Sequence, residues 1–144
     1  MSLPYFIAGD PASGRLDGPE GRHAVAVKRI QVGEHVVLSD GRGTIAEVEV
    51  ADISGKDQLT GRVVDVVEVP KPRPAVIVVQ AIPKSERAEL AVDLATQGGV
   101  DEIYPWVSHR TIARWQGAKV GKNVEKWLAT AREAAKQSVS YTHL

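Results

Sequence analysis

The chain has 144 residues, enough for one ordinary domain or two small ones at about 150 residues per domain, with 43% hydrophobic and 25% charged residues. That composition sets aside wholesale disorder, a collagen repeat and a coiled-coil rod, and the absence of cysteine excludes disulfides, iron–sulfur clusters, zinc knuckles and thiol nucleophiles. No apolar run approaches the roughly 18 residues a membrane span needs and no signal-peptide pattern opens the chain, so a cytoplasmic protein with no membrane partner is expected.

The net charge of zero is unevenly spread. Before Pro70, seven basic residues stand against eleven acidic ones, a net of −4, which leaves +4 for the remainder. Between Arg110 and Lys136, seven basic residues meet only Glu125 and Glu133. Such a segment is either a solvated helix face or the footprint of a polyanionic partner.

In chain order, the first signals are β. Gly21–Arg29 favours a short helix slightly over a strand, because alanines interrupt its valines and a Gly33 turn follows. His35–Asp40 reads as a short apolar strand running into Asp40-Gly41-Arg42-Gly43, where Asp-Gly predicts a type I′ hairpin turn with positive φ at both central positions. Thr44–Val50 alternates imperfectly and predicts a bulge near Ala46. Leu59–Val69 is a third, β-branched strand. Several short strands with glycine turns in about 70 residues suggest a small barrel-like β domain over residues 1–70.

Val69-Pro70-Lys71-Pro72-Arg73-Pro74 alternates proline, which fixes φ and removes a donor, so residues 71–74 read as a stiff linker. The period then changes. Ala75–Ile82 is almost continuously apolar, the signature of a strand covered on both faces. Ser85 can cap a helix over Glu86–Gln97, with Leu90, Ala91, Leu94 and Ala95 on its buried face and Gly98-Gly99 ending it. Val100–Val107 returns as a second strand, completing a β-α-β unit. A second helix is predicted over Asn123–Ser138, with Val124, Trp127, Leu128, Ala131 and Ala135 on one face. Two strands and two helices cannot cover so apolar a strand, so residues 75–138 read as the opening part of an α/β domain.

The chemistry-bearing residues are few. No Gly-x-Gly-x-x-Gly or Gly-Lys-Ser/Thr phosphate loop is present, Gly41-Arg42-Gly43 being a hairpin turn. His23, His35, His109 and His143 are not spaced with carboxylates as a metal site requires. No serine sits in a nucleophile elbow. Trp127 belongs to an apolar helix face and is expected in the core. Trp115 lies among Arg110, Arg114 and Lys119 and suits core packing and RNA stacking equally. Lys84 follows a strand end, where α/β folds place ligand-facing residues, although a solvated loop lysine fits as well.

The order of these segments resembles the RsmE family. Gly21-Arg22-His23-Ala24-Val25-Ala26-Val27-Lys28-Arg29, Val32-Gly33-Glu34 and Leu38-Ser39-Asp40-Gly41-Arg42-Gly43 are similar to that family's opening run. Ala95-Thr96-Gln97-Gly98-Gly99-Val100 resembles its "Ala-Thr-Glu-Leu-Gly-Val" helix end. Ile103-Tyr104-Pro105 with Ser108-His109-Arg110 resembles its strand and loop, and Glu133-Ala134-Ala135-Lys136-Gln137-Ser138 matches its "Glu-Ala-x-x-Gln-Ser". The resemblance runs from residue 1 to about 138. It departs at Gln97, where the family has glutamate, and at Lys28, where it has leucine.

The resemblance implies an α+β protein: an N-terminal PUA-like β-barrel followed by an α/β SPOUT domain of trefoil-knot type. It implies S-adenosylmethionine as cofactor, methylation of N3 of a uridine in 16S ribosomal RNA as activity, the small ribosomal subunit as partner, and a homodimer. His23 and Arg29 in the matched N-terminal motif, with Lys84, Arg110 and Arg114 in the second half, are the RNA-binding candidates. A non-catalytic RNA-binding module is the alternative. The family's Gly-Pro-Glu-Gly-Gly loop and Leu-Gly…Ile-Leu-Arg…Glu-Thr-Ala segment, which form knot and cofactor pocket, have no counterpart in residues 1–144, so no cofactor or catalytic residue is carried over. The SPOUT part is therefore expected to be incomplete and the chain alone inactive. Val139–Leu144 resembles a translated library-adapter sequence and is expected to be a non-native tail.

Overall fold

The structure is a computed structural model that describes residues 2–84 and 86–136. The proposed capping residue Ser85, the Gln137-Ser138 end of the matched motif and the tail over 139–144 lie outside the described residues. The chain divides into two compact units, one ending at Lys71 and the next beginning at Pro72.

The N-terminal unit is a five-stranded sheet. Its strands are β1 (Tyr5–Ile7), β2 (Arg15–Leu16), β3 (His35–Ser39), β4 (Thr44–Ser54) and β5 (Gln58–Glu68), in the order β1-β3-β4-β5-β2. The β1–β3 pair is parallel and the others are antiparallel. Among the described residues the hydrogen-bonded order runs linearly from β1 to β2. Its core is apolar: Phe6, Leu16, Val36, Leu38, Val48, Val50 and Leu59 are all at most 2% exposed. In β4, Ala46, Val48 and Val50 alternate inward in plain period two, and the first register irregularity falls between Glu47 and Val48, close to Ala46 as the sequence suggests. Glu47 pairs with Asp65 and Val48 with Val63, leaving Val64 as an extra residue. Val50 pairs with Gly61 and Asp52 with Thr60, leaving Ala51 as another.

The β3–β4 turn also differs from a two-residue type I′ hairpin. The connection is the four residues Asp40–Gly43. Gly41 (φ 69°) and Gly43 (φ 119°) take the left-handed positions, while Asp40 and Arg42 do not. Asp40 organises the turn through its side chain, Oδ1 accepting from the Arg42 N–H at 2.7 Å and the Thr44 N–H at 3.1 Å. Burial opposes ionisation of this carboxyl, but the hydrogen bonds from Arg42 and Thr44 outweigh it and the pKa lies below the ordinary value.

Between β2 and β3 the chain is helical over the first part of Gly21–Arg29, in two pieces. The short helix α1 (Gly18–Arg22) starts with Pro19 in its first turn and runs into one π-helical turn, His23–Val27. Gly21 is buried so tightly that a Cβ would collide with the Asp57 carbonyl oxygen at the β4–β5 turn. Glu20 reaches back to accept the Ile7 N–H at 3.0 Å, fastening α1 to the end of β1.

The second unit contains β6 (Ile77–Ala81), α2 (Arg87–Gln97), β7 (Glu102–Trp106) and α3 (Ala118–Lys136). Strands β6 and β7 are parallel, in register from Ile77↔Glu102 to Ala81↔Trp106, with α2 as the crossover. That is the β-α-β unit read from the sequence. Gly99, at φ 90°, supplies the left-handed residue after α2, and the Val100 N–H then donates to the Ala95 carbonyl at 3.1 Å.

Two expectations for this unit change. The sequence pattern places Leu90 and Leu94 inward, yet they are 54% and 59% exposed, while Ala88, Val92 and Thr96 are buried. The reason is close approach. The inward face of α2 meets Trp127 of α3, and small residues leave room for the indole. Helix α3 begins about a turn before Asn123, and of its expected face Trp127 and Ala135 are buried whereas Leu128 is 51% exposed. Strand β6 pairs only with β7 among the described residues, and Ile77 and Val79 stand open.

Candidate nucleic-acid interface

The five sequence-derived candidates fall in two places. His23 and Arg29 flank the π-turn of the N-terminal unit. Lys84, Arg110 and Arg114 lie in loops of the second unit, Lys84 just beyond β6 and the two arginines between β7 and α3.

The N-terminal pair differs internally. His23 is half-buried and packs edge-on against the buried Phe6 ring, centroids 6.1 Å apart. Much of its role is thus to seat the π-turn on the core. Arg29 is exposed. The turn that presents it is closed by the Lys28 N–H donating to the His23 carbonyl at 2.8 Å and the Ile30 N–H to the Ala24 carbonyl at 3.1 Å. Ala24 and Ile30 are buried, so the loop is rooted on both sides of the arginine.

In the second unit, Lys84 and Arg110 are exposed, and Arg114 donates to the His109 carbonyl at 3.2 Å, which holds its stem along the loop. Ser108 and Thr111 close that loop, hydroxyl to hydroxyl at 2.6 Å. Trp115 is settled by its contacts. It packs on Trp127 within the α2–α3 core and is a core residue.

The basic segment is less free than its count suggests. Lys126 bridges to Glu89 at 2.7 Å, tying α3 to α2, and Lys136 meets Glu133 at 2.9 Å. The hydrogen bond from Lys126 is the main reason the Glu89 pKa is lowered. Arg110, Arg114, Lys119, Lys122 and Arg132 form no salt bridge among the described residues and remain available to an anion. No cluster of metal-binding side chains occurs among the described residues, and no helix there is long and apolar enough to cross a membrane.

Two family models account for most of the sequence. An RNA methyltransferase PUA domain matches residues 16–64, and an RNA methyltransferase domain matches residues 70–143. Ribosomal RNA small subunit methyltransferase E of Mycobacterium bovis is 48% identical over 141 residues, covering 96% of this chain and 53% of its own. The chain belongs to the RsmE family of RNA methyltransferases. The Bacillus subtilis member is 27% identical over 124 residues, covering 85% of this chain and 48% of its own. A methyltransferase structure from Legionella pneumophila, solved with SAM bound, superposes with a TM-score of 0.82 at 26% identity, over 95% of this chain and 58% of that one. The chain thus spans about half the length of the curated RsmE relatives it matches. The α+β architecture and the PUA domain read from the sequence agree with these relationships.

The groove between α2 and α3, about 420 Å³, is shallow and lined by Asp93, Gln97, Ala129, Thr130, Glu133 and Ala134. It offers no aromatic or large aliphatic side chain to an adenine ring. Asp93 is moreover engaged by the Gln97 side-chain amide at 2.7 Å.

Proposed function

We propose that this RsmE-family chain carries the RNA-contacting part of a SAM-dependent enzyme that methylates N3 of a uridine in 16S ribosomal RNA. The observation that carries this reading is the 48% identity to ribosomal RNA small subunit methyltransferase E along almost the whole chain. The PUA and RNA methyltransferase family models support it.

On this reading His23, Arg29, Lys84, Arg110 and Arg114 contact the RNA. Exposed guanidinium and ammonium groups neutralise phosphates and release counterions, which makes binding salt-dependent. The excess of +4 after Pro70 supports the same role. The 144-residue chain is proposed to bind RNA without supplying the cofactor site, and to pair with a second copy as the family homodimer.

Binding to small ribosomal subunits across a salt series tests the RNA contacts. Arg110→Ala is expected to weaken binding and flatten its salt dependence. Binding that is unchanged at every salt concentration refutes that role. Calorimetric titration of the chain with S-adenosylmethionine is expected to show no heat of binding. Micromolar affinity would overturn the division of labour proposed here. RNA binding without methyl transfer by any longer form of the protein would favour the non-catalytic module.

A further inference from the structure

A helix that ends on a left-handed residue ordinarily ends on glycine, because a Cβ is penalised there. The π-turn ends on such a residue, but the residue is Arg29, at φ 55°. Eight glycines have positive φ, and Arg29 is the one non-glycine residue that does so among the described residues. For the backbone alone glycine would serve better. The arginine side chain contributes nothing visible to the fold in return: it is exposed and forms no salt bridge among the described residues.

Its surroundings are unusual for this unit. No acidic residue occurs between Glu20 and Glu34, while Arg22, Lys28 and Arg29 all do, all exposed. A unit with three more acidic than basic residues therefore carries one uninterrupted cationic segment. The segment is also fixed in shape. The Gln31 side-chain amide donates to the Arg29 carbonyl at 2.9 Å, the Gln31 N–H donates to Glu34 Oε2 at 2.9 Å, and the Gly33 N–H donates to the Val50 carbonyl at 2.8 Å.

Resting on the RNA-binding reading above, we propose that the loop after the π-turn is a preformed grip for an RNA phosphate. Arg29 is its bidentate donor, and the left-handed backbone aims the guanidinium outward from a rooted turn. A planar guanidinium donates two parallel hydrogen bonds to a phosphate, which an ammonium cannot do. A loop backbone held in advance leaves less freedom to lose on binding.

The proposal separates folding from binding by sign. In Arg29→Gly the steric penalty disappears, so the melting temperature stays the same or rises, while the phosphate contact is lost. Arg29→Asn, which also tolerates positive φ, provides a second uncharged variant. The full chain is titrated onto small ribosomal subunits over a salt series. In both variants the slope of log affinity against log salt is expected to shrink by about 0.7–0.9, the value of one phosphate contact. Arg29→Lys is expected to keep the slope and lose affinity. If both uncharged variants keep the wild-type slope, the grip is refuted and the broader RNA-binding reading stands. Weaker binding at an unchanged slope refutes it too, by indicating contact with a ribosomal protein. If the wild-type chain binds no subunit at all, both readings fall together.

Discussion

Trp115 and Trp127 meet edge to face, ring centroids 4.9 Å apart and planes at 79°. One indole comes from the loop after β7 and the other from α3, and together they close the core that Ala88 and Val92 begin. Trp127→Ala is expected to destabilise by about 3–5 kcal/mol and Trp115→Ala, being less buried, by about 2–3 kcal/mol. Chemical denaturation of both variants checks this. If Trp115→Ala lost RNA affinity at unchanged stability, its assignment to the core would be wrong.

The outward leucines of α2 give a contrasting expectation. Leu90→Ser and Leu94→Ser should change the stability of the isolated chain by no more than about 0.5 kcal/mol, as surface substitutions do. Val92→Ala, at a site 2% exposed, should cost roughly 2 kcal/mol. Urea midpoints of the three variants rank the two faces directly. Equal losses from all three would mean that the leucines are covered after all.

Gly61 gives a steric prediction. A Cβ there would run into the Glu49 carbonyl and the Val48 side chain on the neighbouring strand. Gly61→Ala should therefore cost about 1–3 kcal/mol, the usual range for overpacking, despite alanine's lower conformational entropy when unfolded. A melting temperature at or above wild type would contradict the tight β4–β5 spacing.

Asp40 predicts a pH dependence. Its pKa is lower in the folded state than its ordinary value, so ionisation favours folding. That contribution is fully present above the ordinary carboxylate range and disappears as pH falls through the folded-state value. Asp40→Ala should cost about 1 kcal/mol near neutrality, from the loss of two hydrogen bonds in a half-buried turn. The gap between wild type and Asp40→Asn should narrow below about pH 4. Thermal melts from pH 3 to 7 measure it, and a gap that widened on acidification would reverse the sign.

Much of the fold was legible because the relevant signals are local. The apolar run into Ile82, the Gly98-Gly99 stop and the apolar return strand specify a β-α-β unit with little help from distant contacts. The buried face of α2 is not legible in the sequence, because side-chain size does not fix burial where a helix packs against an indole. Facing Trp127, the helix needed small residues inside, and its leucines were left outside. Asp-Gly marks the turn at Asp40 but does not fix its length or show that a side chain organises it. At the candidate site, charge pointed to the basic C-terminal region. Sequence could not reveal that Lys126 is engaged by Glu89, or that Arg29 occupies a left-handed position without a glycine to mark it.

The uneven charge of the N-terminal unit has a consequence for how it would meet RNA. On the RNA-binding reading proposed above, the unit's net negative charge repels a polyanion, and the segment between Glu20 and Glu34 is where attraction offsets that repulsion. The unit then sorts encounters by orientation before any contact forms, and each repelling carboxylate narrows the productive approach. Added salt would blunt the repulsion along with the attraction, so what it erodes is the bias in docking angle as well as the affinity.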